Sequence, residues 1–274
     1  MKDRPLRDVI RDYNLRADKR LGQHFLLDVN LLRRIAALAG NLSGCTVLEI
    51  GPGPGGLTRA LLATDAERVV AIERDPRCID ALSELAADAG ERFKIIEADA
   101  LKISLETLDG APLTIVANLP YNVGTALLLG WLDQLPHIRS MNLMFQREVA
   151  DRVIAAPKSR SYGRLSVIVQ WLCKVERLLN LPAKAFVPPP KVASSIVQLV
   201  PRAEPLADVS RPALEKVVAA AFGQRRKMLR TSLKTLGRDP IPMLAAADIP
   251  ETARAEEIDI MGFCRLADAF SDHP

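Results

Sequence analysis

Hydrophobic positions divide the first half of the chain into short apolar runs and longer amphipathic stretches. Residues 31–40 place leucine, isoleucine and alanine at helical spacing, and Asp28 is placed to cap the start of this helix. Five apolar runs have the length of buried strands and lie at residues 45–50, 68–73, 92–98, 113–118 and 141–146. Because helix-like stretches separate these runs, the pattern predicts right-handed crossovers and a mostly parallel sheet covered by helices on both faces.

The second half of the chain has a different pattern. Two further apolar runs, residues 175–181 and 194–200, flank a proline-rich segment and predict two late strands joined by a stiffened loop. From about residue 205 the pattern is helical, in the stretches PALEKVVAAAF, RRKMLRTSLKTL and RAEEIDIMGFCRLADAF. We therefore predict an α/β domain with an N-terminal arm over residues 1–204 and a small helical domain over residues 205–274.

Composition narrows the class of protein. Of the 274 residues, 49% are hydrophobic and 26% are charged, and no apolar run approaches the ~20 residues that a membrane helix needs. The N-terminal segment has charges of both signs and lacks the apolar core of a signal peptide, so we expect a soluble, cytoplasmic protein without membrane association. The four cysteines and three histidines are scattered, which gives no reason to expect a metal site or a disulfide framework.

A glycine-rich turn follows the first strand and precedes a helix. In VLEIGPGPGGLT the glycines are Gly51, Gly53, Gly55 and Gly56, where bare backbone and free helix amides can approach a ligand. This arrangement predicts a nucleotide-like cofactor. The same glycines also satisfy the GxGxxG pattern of dinucleotide-binding proteins, so the loop alone leaves both cofactor classes open.

Three acidic residues at strand ends favour S-adenosylmethionine over a dinucleotide. Glu49 precedes the glycines, and Glu73 ends the second strand, where a carboxylate can accept hydrogen bonds from ribose hydroxyls. Asp99 follows the third strand, where it can accept a hydrogen bond from an adenine amine. Glu73 alone fits NAD equally well, but the ordered series of acids has the spacing of methyl-donor sheets.

The segment NLPY follows the fourth strand and suggests an acceptor site for an adenine N6 amine. The side-chain oxygen of Asn118 and the backbone carbonyl of Leu119 could each accept one N6 proton and stabilise positive charge as it develops there. Pro120 would fix the turn, and Tyr121 would stack on a base that has left its helix or loop. Phe186 could close the opposite face of that base.

A cluster of basic residues lies in the predicted helical domain. Residues 219–238 contain no acid and include Arg225, Arg226, Lys227, Arg230 and Lys234. Such a block is a candidate phosphate-binding face and predicts contact with RNA.

Taken together, these motifs resemble one enzyme family, the small-subunit (16S) ribosomal RNA adenine N6,N6-dimethyltransferases. The resemblance runs nearly end to end through KRLGQHFLLD (19–28), LEIGPGPGGLT, NLPY, FVPPPKVASSIVQL and FGQRRKMLRTSL (222–233). It implies a Rossmann-like methyltransferase sheet, mostly parallel with an antiparallel last strand. It also implies S-adenosylmethionine as cofactor, with donor contacts at His24, Leu26, Gly51, Gly53, Glu73, Asp99 and Asn118.

The resemblance further implies the substrate and its setting. The substrate would be two adjacent adenosines in a hairpin loop near the 3′ end of the small-subunit RNA, each methylated twice within an assembling subunit. The enzyme is expected to act as a monomer. Three alternatives stay open: an NAD-dependent oxidoreductase, a large-subunit RNA methyltransferase of the antibiotic-resistance type, and a non-catalytic assembly or transcription factor on the same fold.

Overall fold

The computed structural model describes residues 4–15, 23–110 and 112–272. The beginning of the N-terminal signature, residues 19–22, therefore lies outside the described residues. Contacts divide the chain into two compact units, one formed by Met1–Ala150 with Glu176–Pro201 and the other by Asp151–Val175 with Arg202–Pro274. Within the described ranges, no helix combines the length and the apolar character that crossing a membrane requires.

Nine strands form two sheets within the described residues. Their bounds are β1 (Phe25–Leu26), β2 (Thr46–Ile50), β3 (Arg68–Glu73), β4 (Phe93–Glu97), β5 (Leu113–Asn118), β6 (Ile138–Gln146), β7 (Cys173–Leu181), β8 (Phe186–Val187) and β9 (Ser194–Pro201). Seven of them form the main sheet in the order β4-β3-β2-β5-β6-β9-β7, and β1 pairs with β8 in a small separate ribbon. Every strand predicted from the sequence is present.

The main sheet is parallel except near one edge. Strands β4, β3, β2, β5 and β6 run parallel to one another, while β9 pairs antiparallel with β6 from Met141↔Leu199 to Gln146↔Ser194. This arrangement confirms the predicted α/β fold class and its antiparallel last strand. Because β2 pairs with β3 on one side and β5 on the other, the crossovers diverge here, and a crevice opens at the carboxyl ends of the two central strands.

The described part of the chain contains eleven helices. They are α1 (Leu6–Asp12), α2 (Val29–Ala37), α3 (Gly56–Leu62), α4 (Pro76–Ala89), α5 (Gly124–Trp131), α6 (Arg147–Val153), α7 (Arg164–Leu172), α8 (Arg211–Gly223), α9 (Leu229–Ser232), α10 (Pro240–Ala246) and α11 (Ile260–Asp272). Asp28 caps α2 as predicted, because its carboxylate accepts the Asn30 and Leu31 amides. Asp75 caps α4 in the same way, followed by Pro76 at the first helical position.

Burial explains why the short apolar runs form strands. Every residue of β2 is buried, and the interior strands β3 and β5 are nearly as fully buried, as expected where helices cover both faces. On one face, Val47, Val116 and Met144 pack in a core with Leu57 of α3. This core holds the carboxyl ends of the strands in fixed relative positions, beneath the crevice.

The ribbon of β1 and β8 was not predicted. Its register pairs Phe25 with Val187 and Leu26 with Phe186, which brings the N-terminal segment against the proline-rich loop. Leu26 and Phe186 are both buried in the same core as the sheet. Two-residue strands carry no readable periodicity, so the sequence pattern could not indicate this pairing.

The second unit is helical and differs from the prediction in two respects. Residues 225–236 do not form one helix: Met228 is extended, and the Leu229 amide bonds the Ala253 carbonyl, so α9 is a separate short helix. In addition, α7 packs against α8 and α11, which groups residues 151–175 with the C-terminal helices. The predicted division at residues 204 and 205 left this segment with the sheet, and as a statement about functional domains it stays a prediction.

Candidate active site

A cavity of about 450 Å³ lies in the first unit at the carboxyl ends of β2, β3 and β5. Four pieces of the chain line it: the segment before α2, the glycine loop, the end of β3 and the NLPY turn. Eleven residues singled out from the sequence line it together: His24, Leu26, Glu49, Gly51, Gly53, Gly56, Glu73, Asn118, Leu119, Pro120 and Tyr121.

The glycine loop has the backbone conformation that only glycine adopts easily. Gly51, Gly53 and Gly55 have φ of +65°, +55° and +81°. A Cβ added at Gly53 would lie 3.1 Å from the Phe25 ring, tighter than ordinary side-chain contacts. The loop is thus closely packed, and its bare backbone faces the cavity.

Glu73 is held by backbone donors on both carboxylate oxygens. Its Oε1 accepts the amides of Arg74 and Asp75 at 2.8 and 2.9 Å, and its Oε2 accepts the Gly53 amide at 3.1 Å. Burial raises the pKa of Glu73, while these three N–H donors act in the opposite direction by favouring the ionised form. Because Oε2 has one donor and Oε1 has two, Oε2 retains the capacity to accept another hydrogen bond.

Glu49 is the most buried acid that lines the cavity. Its Oε2 finds no hydrogen-bond partner within the described residues, and only 1% of its surface is exposed. Burial raises the pKa of Glu49 to about 8; the Thr58 hydroxyl lowers this pKa and the Glu73 carboxylate raises it. A buried carboxylate oxygen without a partner is uncommon in proteins and fits a ligand that brings a positive charge or a donor to this wall.

The amide of Asn118 has a defined orientation at the end of β5. Its Nδ2 donates to the backbone carbonyl of His24 at 3.1 Å. A carbonyl oxygen can only accept a hydrogen bond, so the opposite orientation of the amide would place Asn118 Oδ1 against the His24 oxygen with no hydrogen between them. The amide nitrogen of Asn118 therefore faces His24, and Oδ1 points away from it. This contact joins residues 94 positions apart and leaves Oδ1 as the acceptor that the predicted chemistry requires.

The ring of His24 is fixed as well. Its Nδ1 lies 2.8 Å from the carbonyl oxygen of Pro188, so Nδ1 carries the proton and Nε2 is the unprotonated nitrogen in the neutral ring. The ring centroid of His24 is 5.3 Å from that of Tyr121. His24 therefore contacts the acceptor turn through both its backbone and its side chain.

The turn that carries Tyr121 is closed by its own backbone. The amides of Val123 and Gly124 both donate to the Pro120 carbonyl, at 3.2 and 3.0 Å. The Tyr121 hydroxyl lies 2.6 Å from Ser194 Oγ, and burial raises the pKa of this phenol. The ring of Tyr121 thus lies beside the cavity with its hydroxyl anchored in the sheet.

Two predicted residues are not among those that line the cavity. Asp99 accepts the Leu101 amide at 3.1 Å and caps a short 3₁₀ turn at residues 100–102. Phe186 is only 1% exposed and packs in the core beside Leu26, so stacking on a base would require its ring to leave that core. For Phe186, the sequence identified an aromatic residue beside a proline-rich loop but not the direction of its ring, which the β1–β8 pairing sets.

The basic block lies in the second unit, and its members differ in environment. Arg225 forms an ion pair with Glu256 at 2.9 Å and donates to the backbone carbonyls of Tyr162 and Ser159 at 2.6 and 3.2 Å. Its guanidinium already has three partners within the protein, so the predicted contact of Arg225 with phosphate is less favourable. The side chains of the remaining predicted residues are exposed, namely Arg226, Lys227, Arg230 and Lys234.

Sequence reasoning did not identify Ser194 or Gln23. Ser194 is fully buried and bonds Tyr121, and Gln23 lines the cavity and donates to Asp75 at 3.1 Å. The signal for Ser194 was present, because two adjacent serines in the mostly apolar run SSIVQLV need partners when the strand is buried.

Comparisons with known proteins match nearly the whole chain to one family. The family model described as ribosomal RNA adenine dimethylase matches residues 14–272. A protein named ribosomal RNA small subunit methyltransferase A from Azorhizobium caulinodans is 58% identical over 270 residues, covering 97% of this chain and 92% of the relative. The protein of the same name from Xanthobacter autotrophicus is 56% identical, covering 97% and 94%.

Solved structures give the same result. A dimethyladenosine transferase from Plasmodium falciparum is similar with a TM-score of 0.78 and 26% identity, covering 91% of this chain and 98% of that one. The 23S rRNA methyltransferase ErmE is similar with a TM-score of 0.68 and 28% identity, covering 90% and 99%. The family model spans nearly the whole chain, including both compact units, and the chain belongs to the ribosomal RNA adenine dimethylase family.

Proposed function

We propose that this protein transfers methyl groups from S-adenosylmethionine to N6 of two adjacent adenosines in a hairpin loop near the 3′ end of small-subunit (16S) ribosomal RNA. The product would be N6,N6-dimethyladenosine, formed on an assembling small subunit in the cytoplasm. Family membership and the names of the similar proteins support this proposal over an oxidoreductase. The observation that carries it is the amide of Asn118, oriented by the His24 carbonyl so that its oxygen is the free acceptor.

The residues of the cavity fit the methyl donor. When bound, S-adenosylmethionine supplies an electrophilic methyl group on a sulfonium. Gly51 and Gly53 would approach the ligand with bare backbone, and Glu73 would accept a ribose hydroxyl at Oε2. The unpartnered Oε2 of Glu49 would face positive charge, and His24 and Leu26 would complete the wall. Asp99 does not line the cavity. We propose that its carboxylate accepts a hydrogen bond from the adenine amine of the donor.

Catalysis would depend on holding the N6 amine and stabilising the charge that forms on it. Tyr121 stacks on the flipped base, an interaction that contributes about 1 to 3 kcal/mol. In the first transfer, Asn118 Oδ1 and the Leu119 carbonyl each accept a hydrogen bond from an N6 proton as the nitrogen becomes pyramidal and positive. The methylated nitrogen then releases one proton to water, which leaves a single N–H donor for the second transfer. Hydrogen bonds to a charged group contribute roughly 1.5 to 3 kcal/mol each, so the pair supplies about two to four decades of rate. No proton-abstracting side chain is needed.

RNA would be bound in part by the exposed cations of the second unit. Arg226, Lys227, Arg230 and Lys234 are exposed and lie within a stretch free of acids, which supports phosphate contacts. Arg225 is less suited to this role because Glu256 and two backbone carbonyls already occupy its guanidinium.

The proposal is tested by incubating the protein with labelled S-adenosylmethionine and small subunits isolated without these methyl groups, followed by nucleoside analysis. We expect labelled N6,N6-dimethyladenosine in small-subunit RNA and none in large subunits treated in parallel. Label in large-subunit RNA alone would favour the antibiotic-resistance type of enzyme. Donor binding without transfer to either subunit would favour a non-catalytic factor.

A further inference from the structure

Two adjacent serines begin strand β9, and both are fully buried. Ser194 pairs with Gln146 and Ser195 pairs with Phe145 in the antiparallel ladder to β6. Because successive side chains of a strand point to opposite faces, the two hydroxyl groups lie on opposite sides of the sheet. The chain thus offers two chemically identical groups, equally buried, in different surroundings.

Each serine hydroxyl has a side-chain partner, but only one of these partners lines the cavity. Ser195 donates to Asn180 Oδ1 on β7 at 2.7 Å. Ser194 Oγ lies 2.6 Å from the hydroxyl of Tyr121, which is 73 residues earlier in the chain. A buried hydroxyl without a hydrogen-bond partner destabilises the folded protein. The bond between Ser194 and Tyr121 is therefore maintained and determines where the Tyr121 hydroxyl lies.

The ring of Tyr121 is held at two points. Its hydroxyl is bound to β9, while its ring centroid lies 5.3 Å from the ring of His24. His24 is itself fixed, because Nδ1 bonds the Pro188 carbonyl and the His24 carbonyl accepts Asn118 Nδ2. Strand β6 separates β5 from β9, so the Ser194 bond connects the acceptor turn after β5 to a strand two positions away in the sheet.

We propose that Ser194 is a positioning residue for methyl transfer and acts through Tyr121, by holding the aromatic ring in the orientation that receives the target base. This inference rests on the proposed function, since it takes Tyr121 as the stacking surface. A ring that is fixed before RNA binds loses little rotational freedom when the base stacks on it. The base then spends a larger fraction of its time beside Asn118 and Leu119.

The expected effect is on transfer and not on donor binding. Immobilising one side chain has a free-energy cost equivalent to roughly three- to tenfold in an equilibrium. We therefore expect Ser194→Ala to slow single-turnover transfer on saturating small subunits by about three- to tenfold, with unchanged affinity for S-adenosylmethionine. Ser195→Ala is the matched control: it removes an equally buried hydroxyl, lowers thermal stability similarly, and leaves the transfer rate unchanged.

A double-mutant cycle separates positioning from a general loss of stability. Tyr121→Phe breaks the same hydrogen bond from the other side and should slow transfer to a similar extent. The variant with both substitutions should be no slower than the slower single variant, because one bond is removed in each case. Ser194→Thr retains a hydroxyl and should restore most of the rate. If Ser194→Ala does not fold, Tyr121→Phe and Ser194→Thr still test the bond.

Specific outcomes would overturn the inference. Equal slowing by Ser194→Ala and Ser195→Ala would reduce the effect to stability, and multiplying effects of Ser194→Ala and Tyr121→Phe would show that the two hydroxyls act independently. If the wild type transfers methyl groups and Ser194→Ala transfers them equally fast, the inference is overturned and the proposed function stands. A wild-type protein that methylates neither subunit would overturn the proposed function, and the inference with it.

Discussion

At the scale of single residues, the direction of one amide decides the chemistry of the candidate site. Asn118 was predicted from NLPY as an acceptor, but an amide can present either an oxygen or a nitrogen. The carbonyl of His24 resolves this by accepting Nδ2 at 3.1 Å. The sequence could not indicate this contact, because it joins two segments that meet only when the sheet is assembled.

We expect Asn118→Ala to fold normally, to bind RNA with much of its affinity, and to transfer methyl groups at least roughly a hundredfold more slowly, since an acceptor for developing charge is lost. Single-turnover transfer on small subunits measures the rate, and thermal unfolding measures the fold. Asn30→Ala is a suitable control, because it makes the same substitution at an exposed residue of α2 that does not line the cavity. A wild-type rate for Asn118→Ala would remove the proposed role.

Glu49 gives the stability of the protein a pH dependence. Its pKa is raised from the ordinary value of 4.5 to about 8, so the folded protein keeps a proton that the unfolded chain releases. The stabilisation by protonated Glu49 is fully present below pH 4.5 and is lost as the pH rises to about 8. Each pKa unit corresponds to about 1.4 kcal/mol, which gives several kcal/mol across this window.

Glu49→Gln keeps the shape of the neutral side chain and removes this proton. We therefore expect the free energy of unfolding of the wild type to fall relative to that of Glu49→Gln between about pH 5 and 8, as measured by urea titration of the protein without donor. Glu97→Gln, at an exposed position at the end of β4, controls for the loss of one formal charge. Parallel curves for the wild type and Glu49→Gln would contradict the assignment.

At the scale of elements, the sequence predicted what periodicity and glycine content can encode. The main strands, the cap of α2 and the glycine loop follow from local pattern, and the structure confirms them. The β1–β8 ribbon and the burial of Phe186 depend on pairing between two segments that most of the sheet separates along the chain, and two-residue strands carry no pattern. The second of the three predicted helical stretches begins at residue 229 and not at residue 225. The basic residues before Leu229 are good helix formers, and a tertiary hydrogen bond from Leu229 to Ala253 overrides that preference.

The glycine loop can be tested as an element by comparing two glycines with positive φ. Gly53 has φ +55° and little space beside Phe25, whereas Gly237 has φ +81° and open space around it. We expect Gly237→Ala to lower the free energy of unfolding by about 1 to 2 kcal/mol from backbone strain alone, and Gly53→Ala to lower it further. Only Gly53→Ala should weaken S-adenosylmethionine binding in calorimetry. Equal donor affinity in both variants would show that the loop does not approach the donor.

At the scale of the whole molecule, charge must be read in space and not along the chain. The net charge is only +4, and residues 219–238 contain no acid, which made the basic block look uniformly free. In the folded second unit, Glu256 lies against Arg225 from 31 positions away, whereas Arg226, Lys227, Arg230 and Lys234 remain exposed. Of the five basic residues predicted to contact RNA, one therefore holds the unit together and four are available for a polyanion.

This division predicts opposite behaviour for neighbouring arginines. Arg230→Ala should leave the free energy of unfolding nearly unchanged and should reduce the slope of log affinity for small-subunit RNA against log salt by about one, as expected for one lost phosphate contact. Arg225→Ala should leave that slope unchanged but destabilise the protein by about 1 to 3 kcal/mol, because Glu256 and the carbonyls of Tyr162 and Ser159 lose a charged donor.

Salt titration of RNA binding and urea unfolding of the same three proteins, the wild type and the two variants, separate these effects. Both variants lose one positive charge, so a difference in slope cannot come from net charge and must come from position. Were Arg225→Ala to lower the slope and keep full stability, the guanidinium would have to leave Glu256 when RNA binds. The exposed cations would then not be the sole phosphate contacts of this surface.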